Sequence, residues 1–294
     1  MKTFRAGRYI KIVRYTRALP HDAPPARNAK SQKSTAAQRY INIRDCTERL
    51  QWLLCANFDH WSACFCTYTF SDEHLPGSRD HVKTLVKKHI RQLRTAFARQ
   101  HRPLPVVYTV EGQPGSTKPQ ASNTWEVTPW KDGKRWHTMD DESEDDLTEE
   151  TVRLHAHVFL LLEGKEDREL VRSLWPYGHI YINSIKVNDP LSFPRLAAYV
   201  TKESRLGIRP ENERSYIPSQ GLIQPETYGH WCSEFEGIAP PSNAERLASG
   251  ESHDDVYGSH MEYAMFRLPR EVQLAKPYKS KGRIKKNPKS GKTK

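Results

Sequence analysis

In the stretch RLHAHVFLLLEG, residues 153–164, His155 and His157 flank a single alanine and run into apolar VFLLL. Side chains two apart on an extended strand point to the same face, so a strand here would converge the two imidazoles on one point. Two imidazoles on a rigid element make half of a divalent-metal site. The competing reading is two hydrogen-bonded or exposed strand residues. A carboxylate could complete the set: Glu111 ends the strand-like VYTVEG, and an antiparallel hairpin sets the end of one strand beside the start of the next. A carboxylate with two imidazoles and open positions suits Mg²⁺ or Mn²⁺ acting on phosphate oxygens. Otherwise Glu111 is a solvated strand end. In AAYVTKES, Tyr199 and Lys202 are three apart, which puts both on one face of a helix. A phenol can attack a phosphodiester and hold the product as a phosphotyrosine ester, and an ammonium nearby can offset the developing anion. A tyrosine at such a place can equally be a helix residue with its ring in the core and its hydroxyl at the surface.

These residues must be positioned by the elements around them. Residues 35–56 carry Tyr40, Ile43, Leu50, Leu53 and Leu54 near helical spacing, which predicts an amphipathic helix. ACFCTYTF (63–70) predicts a strand by composition, and Ser78 can cap a helix in which Val82, Val86, Ile90, Leu93 and Phe97 form the apolar stripe. PLPVVYTVEG (103–112) and RLHAHVFLLL predict a second and a third strand. DRELVRSLW (167–175) predicts a short helix, GHIYINSIKV (178–187) a fourth strand and FPRLAAYVTKE (193–203) a last helix. The order β-α-β-β-α-β plus a nucleophile helix is that of an α+β, ferredoxin-like antiparallel sheet with helices packed on it.

The formal charge of +11 suits a polyanionic partner. The charge is unevenly spread: residues 276–294 hold nine Lys or Arg and no acid, whereas DDESEDDLTEE (140–150) holds eight acids. The expected organisation is a basic, disordered N-terminal arm over 1–37, one domain over 38–235 with a hairpin insertion at 113–150, and an extended region over 236–294 ending in the basic tail. Five cysteines form no CxxC pair, which fits a reducing cytoplasm, and His60 with Cys64 and Cys66 lacks a fourth zinc ligand. No apolar run approaches the length of a membrane span. The terminal SGKTK lacks the earlier glycine of a phosphate-binding loop.

Taken in order, NIRDCTERLQWLLCANF, CTYTF, YTVEG, LHAHVFLL and AAYVTKE resemble the motifs of rolling-circle replication initiators of the HUH endonuclease superfamily, the compact type of phages and small plasmids. The resemblance covers roughly residues 40–235. Tyr68 departs from the more usual Thr-Leu-Thr form of the first-strand motif. The resemblance implies that His155, His157 and Glu111 hold Mg²⁺ or Mn²⁺, that Tyr199 cuts one DNA strand, and that Lys202 assists. The cut would leave a 5′-phosphotyrosine link and a free 3′-hydroxyl. Some members carry a second tyrosine a helical turn away, where this chain has Arg195 and Glu203.

Such an enzyme would meet single-stranded or locally melted origin DNA in the cytoplasm of a bacterial host and, having no helicase domain of its own, rely on a separate helicase and DNA polymerase. A basic groove with stacking aromatics suits that DNA. Lys83, Lys87, Lys88, Arg91 and Arg94 on the helix after the first strand are candidate contacts, or an ordinary solvated face; Trp125, Trp130 and Trp136 in the insertion are candidate platforms. Tyr181 and Tyr216 read as structural. A transposase or relaxase would share every site residue, and a non-catalytic basic nucleic-acid-binding protein is the alternative of another class.

Overall fold

The computed structural model describes residues 1–16, 36–116, 152–210, 212–229, 243–254 and 259–270, with Ile238 and Pro241. The insertion's tryptophans and acidic run, the basic tail and the stretch 17–35 lie outside the described residues. The elements are β1 (Lys2–Ala6), β2 (Tyr9–Thr16), α1 (Ala36–Phe58), β3 (Ala63–Tyr68), α2 (Arg79–Arg99), β4 (Val107–Glu111), β5 (His155–Leu161), α3 (Lys165–Ser173), β6 (Ile180–Ser184), α4 (Ser192–Val200), α5 (Lys202–Arg205), β7 (Ile217–Pro218), β8 (Glu226–Gly229), β9 (Glu245–Asp254) and β10 (Ser259–Arg267). They make an α+β chain with two five-stranded antiparallel sheets.

The central sheet runs β6-β3-β5-β4-β7. Its strands alternate side chains between two apolar layers, as the two-residue period requires. Cys64, Cys66, Tyr68, Val158 and Leu160 face α2 and α3, whereas Phe65, Phe159 and Val107 face α1 and α4. α2 starts where Ser78 Oγ accepts a hydrogen bond from the His81 N–H at 3.1 Å, satisfying one donor of the first turn. Val82, Val86, Ile90, Leu93 and Phe97 then bury one face of that helix against the sheet.

The second sheet, β8-β1-β2-β10-β9, is built from the two ends of the chain. The expected disordered arm over 1–37 therefore does not hold for Lys2–Thr16, and the extended region expected over 236–294 contains the paired strands β9 and β10. The basic composition hid alternating apolar residues: Tyr9, Tyr263 and Met265 face α1, while Ile10, Ile12, Ala264 and Phe266 face the other way.

α1 consequently lies between two sheets, and all residues from Leu50 to Ala56 are buried. An amphipathic stripe is too narrow for that position, which explains the run QWLLCA where a solvated face was expected. Polar residues on it and directly after it are paired: Lys11 of β2 meets Glu48, Arg8 meets Asp59 at 2.6 Å, and the Asn57 amide bonds Leu53 O and Ile223 O, each at 2.9 Å. The layers are thus sheet, helices α1 and α4, central sheet, and helices α2 and α3. Among the described residues no helix is long and apolar enough to cross a membrane.

Candidate metal centre

β4 and β5 pair antiparallel with Glu111 opposite His155 and Thr109 opposite His157. The hairpin register thus brings the end of one strand to the start of the other. All three side chains point to the α1/α4 face and are buried. Their ligand atoms converge: Glu111 Oε2 lies 3.6 Å from His155 Nε2 and 3.4 Å from His157 Nε2, and the two imidazole nitrogens are 3.2 Å apart.

The donor chemistry of this triad fits a cation. His155 Nδ1 lies 2.8 Å from the Arg153 carbonyl, which can only accept, so Nδ1 carries the proton and Nε2 presents a lone pair to the cluster. Thr67 Oγ1, on β3, stands 3.1 Å from His157 Nδ1 and orients that ring from behind, while Phe65 stacks on it at 4.8 Å. Both Glu111 carboxylate oxygens are buried; Oε2 faces Lys202 Nζ at 3.0 Å, and Oε1 takes part in no hydrogen bond. Ligands about 2.1 Å from one ion stand roughly 3 Å apart, which is the spacing seen. The buried group Glu111, His155 and His157 could hold a metal ion, and it is the one such cluster found among the described residues. His60 bonds Ser62 at 2.7 Å, and Cys64 and Cys66 are core residues.

The charges in the site act on one another. Burial opposes ionisation of Glu111, but its neighbours, with Lys202 as the cation among them, outweigh burial and hold its carboxyl well below the usual range. Burial pushes His157 down to about 4, so the imidazole is neutral and able to ligate at physiological pH. Burial also opposes the charge of Lys202, but Glu111 and Tyr199 outweigh it and raise its pKa.

Tyr199 and Lys202 join this site from two short helices. α4 ends at Val200, Thr201 interrupts it, and Lys202 begins α5. The single helix expected over 193–203 is thus broken, yet the pair stays together: Lys202 Nζ is 3.7 Å from the Tyr199 ring centre and 3.0 Å from Glu111 Oε2. The Tyr199 ring lies edge-on to His157 at 5.2 Å and to Phe65 at 6.0 Å. Thr201 Oγ1 bonds Thr47 of α1 at 2.7 Å, fixing the break.

Behind the site is a buried ion network with no counterpart in the sequence reading. Glu203 accepts the Gly112 N–H at 2.7 Å, and its other carboxylate oxygen lies 2.9 Å from Arg79 and 3.2 Å from Arg209. Arg79 also donates to the carbonyls of Gly112 and Val110, the residues flanking Glu111, and pairs with Glu213 at 2.8 Å. Arg209 donates to Thr109 Oγ1 at 3.0 Å. The end of β4 and the start of α5 are thereby locked in register, which sets Glu111 against Lys202. The available signal was an acid directly after Lys202.

The five basic residues proposed as DNA contacts are not brought to the triad. They lie on α2, which packs on the opposite face of the sheet. Lys83 pairs with Glu213 at 2.7 Å and Asp80 at 2.9 Å; Lys87, Lys88 and Arg91 are exposed, and Arg94 is half-buried. Arg195, a turn before Tyr199, pairs with Asp189. Tyr216 packs against the core as expected of a structural residue, whereas Tyr181 is 39% exposed. No protein-family model, curated protein or solved structure matches the chain.

Proposed function

We propose that the chain is a metal-dependent single-strand DNA endonuclease and strand transferase that starts rolling-circle replication, on a ferredoxin-like sheet whose predicted strands run fourth, first, third, second. The observation that carries the reading is the convergence of Glu111, His155 and His157 on one point with Tyr199 and Lys202 packed against them. A carboxylate, two imidazoles, a phenol and an ammonium are a set suited to phosphoryl transfer by a tyrosine, and the resemblance of the ordered motifs to HUH initiators supports the same chemistry.

A bound Mg²⁺ or Mn²⁺, held by these three ligands, would polarise the scissile phosphate. The chain's own residues account for the rest. Phe65, His157 and Lys202 pack around the Tyr199 ring and restrict where its hydroxyl can lie, which reduces the entropy lost in reaching the attack geometry. Attack by the tyrosine oxygen forms the P–O(Tyr) bond and breaks the bond to the 3′ oxygen; the phenol loses its proton and the 3′ oxygen gains one. Lys202, charged and fixed by Glu111, offsets negative charge on the phosphate. Attack of a 3′-hydroxyl on the phosphotyrosine reverses these changes and joins strands. A transposase or relaxase acting at the same site would use the same residues.

The test is covalent capture. Full-length protein with Mn²⁺ and labelled single-stranded DNA covering its own replicon is expected to give a labelled band at protein mass in denaturing gels, lost in Tyr199→Phe and with EDTA. DNA binding without any such band would move the protein to the non-catalytic class.

A further inference from the structure

We propose that His179 and Tyr181 form a base-stacking platform for the single strand whose phosphate lies at the Glu111–His155–His157 centre; this rests on the endonuclease reading above and names residues it leaves unused. In GHIYIN the side chains alternate. Ile180 is buried and Ile182 half-buried against the α2/α3 layer, so Tyr181 points to the other face, and His179, whose ring centre is 4.4 Å from that of Tyr181, shares it. Thr67 pairs with His157 on one side and Tyr181 on the other, and Thr67 Oγ1 touches the His157 ring. The aromatic pair and the triad therefore lie on one face of one sheet.

Both rings are exposed, Tyr181 on β6, an edge strand of the central sheet, and His179 immediately before it. The other sides of the triad are filled. Toward β7, Thr109 donates to Ser215 O and accepts from Arg209, and Glu203 binds Gly112. Down the strands, Phe65 and Phe159 lie in the core shared with α1 and α4. Among the described residues, the sheet face continues toward β6 through Thr67, which is buried, and Thr69, which is half-buried, to the exposed rings of Tyr181 and His179. β5 and β6 are two strand spacings apart, about 10 Å, so a base a nucleotide or two from the bound phosphate can reach the platform. Two exposed aromatic faces without a dense cluster of charge suit the flat π surface of bases, largely without regard to sequence.

The measurement is binding of full-length protein with Mn²⁺ to single-stranded oligonucleotides carrying 2-aminopurine at successive positions beside the cleavage site. We expect fluorescence quenching at one or two positions, abolished in Tyr181→Ala and kept in Tyr181→Phe. Affinity in the His179→Ala/Tyr181→Ala double variant should fall roughly ten- to hundredfold, with Mn²⁺ affinity unchanged because neither residue is a ligand. Unchanged affinity and quenching in a double variant that still binds Mn²⁺ and cuts DNA would overturn the platform and leave the endonuclease reading standing. Failure of the unaltered protein to bind or cut single-stranded DNA would remove both.

Discussion

Lys202 Nζ lies 3.0 Å from Glu111 Oε2, so a cation already sits on a carboxylate that could hold a metal ion. The ammonium lowers the repulsion among three electron-rich ligand atoms, and it competes with a divalent ion for the same oxygen. Lys202→Met should therefore bind Mn²⁺ several-fold more tightly while forming the covalent complex at least tenfold more slowly. Titration calorimetry and single-turnover gels measure the two effects separately; a loss of metal affinity would contradict the competition.

Removal of a ligand should act in the opposite direction. Glu111→Gln, His155→Ala and His157→Ala are each expected to weaken Mn²⁺ binding by a hundredfold or more and to abolish cleavage. Metal at about a hundred times its Kd should stabilise the unaltered protein by about 2.7 kcal/mol, seen as a rise in Tm that each variant lacks. An equal rise in all four proteins would place the ion elsewhere.

Arg79 holds Glu203 and Glu213 and the backbone on both sides of Glu111. Arg79→Ala leaves two buried carboxylates with fewer cations and should cost about 3–5 kcal/mol in denaturant unfolding, a large part of the stability of a domain. Arg79→Lys retains the charge but not the fork of donors, and should recover only part of the loss. A change below about 1 kcal/mol in Arg79→Ala would mean that the network is not what registers β4 against α5.

Stability should fall in mild acid through histidine. Burial pushes His89 and His157 down to about 4 from an ordinary 6.5, and His89 Nε2 donates to Val171 O at 3.0 Å. Between these pH values the unfolded chain takes up protons that the folded chain refuses, so the stabilisation is complete above 6.5 and is lost as the pH drops toward 4. The linkage amounts to roughly 3 kcal/mol for His89. His89→Gln keeps a donor for Val171 and should flatten the unfolding free energy between pH 6.5 and 4 in metal-free buffer; an unchanged slope would assign the acid sensitivity to other groups.

The grouping of Glu111, His155 and His157, which could hold a metal ion, was legible in the sequence because it obeys local rules. Residues two apart on a strand share a face, the ends of a hairpin meet, and residues three apart on a helix are neighbours, so His155, His157, Glu111, Tyr199 and Lys202 could be grouped although a long insertion separates them. The same periodicities located four of the five strands of the central sheet, all but β7, with the helices packed on it and the Ser78 cap. What they do not carry is which layer covers which face. The second sheet, assembled from both chain ends, depends on pairings between residues more than two hundred positions apart, such as Tyr9 with Arg267, and Lys2, Arg5, Lys11 and Arg14 on its first two strands made the N-terminal segment read as a solvated arm. The placement of the α2 lysines behind the sheet, the exposure of Tyr181 on an edge strand and the clamping of Glu203 by Arg79 and Arg209 likewise follow from tertiary packing: a side chain's burial and its ion partners are set by what folds over it, and that is decided by contacts remote in the chain.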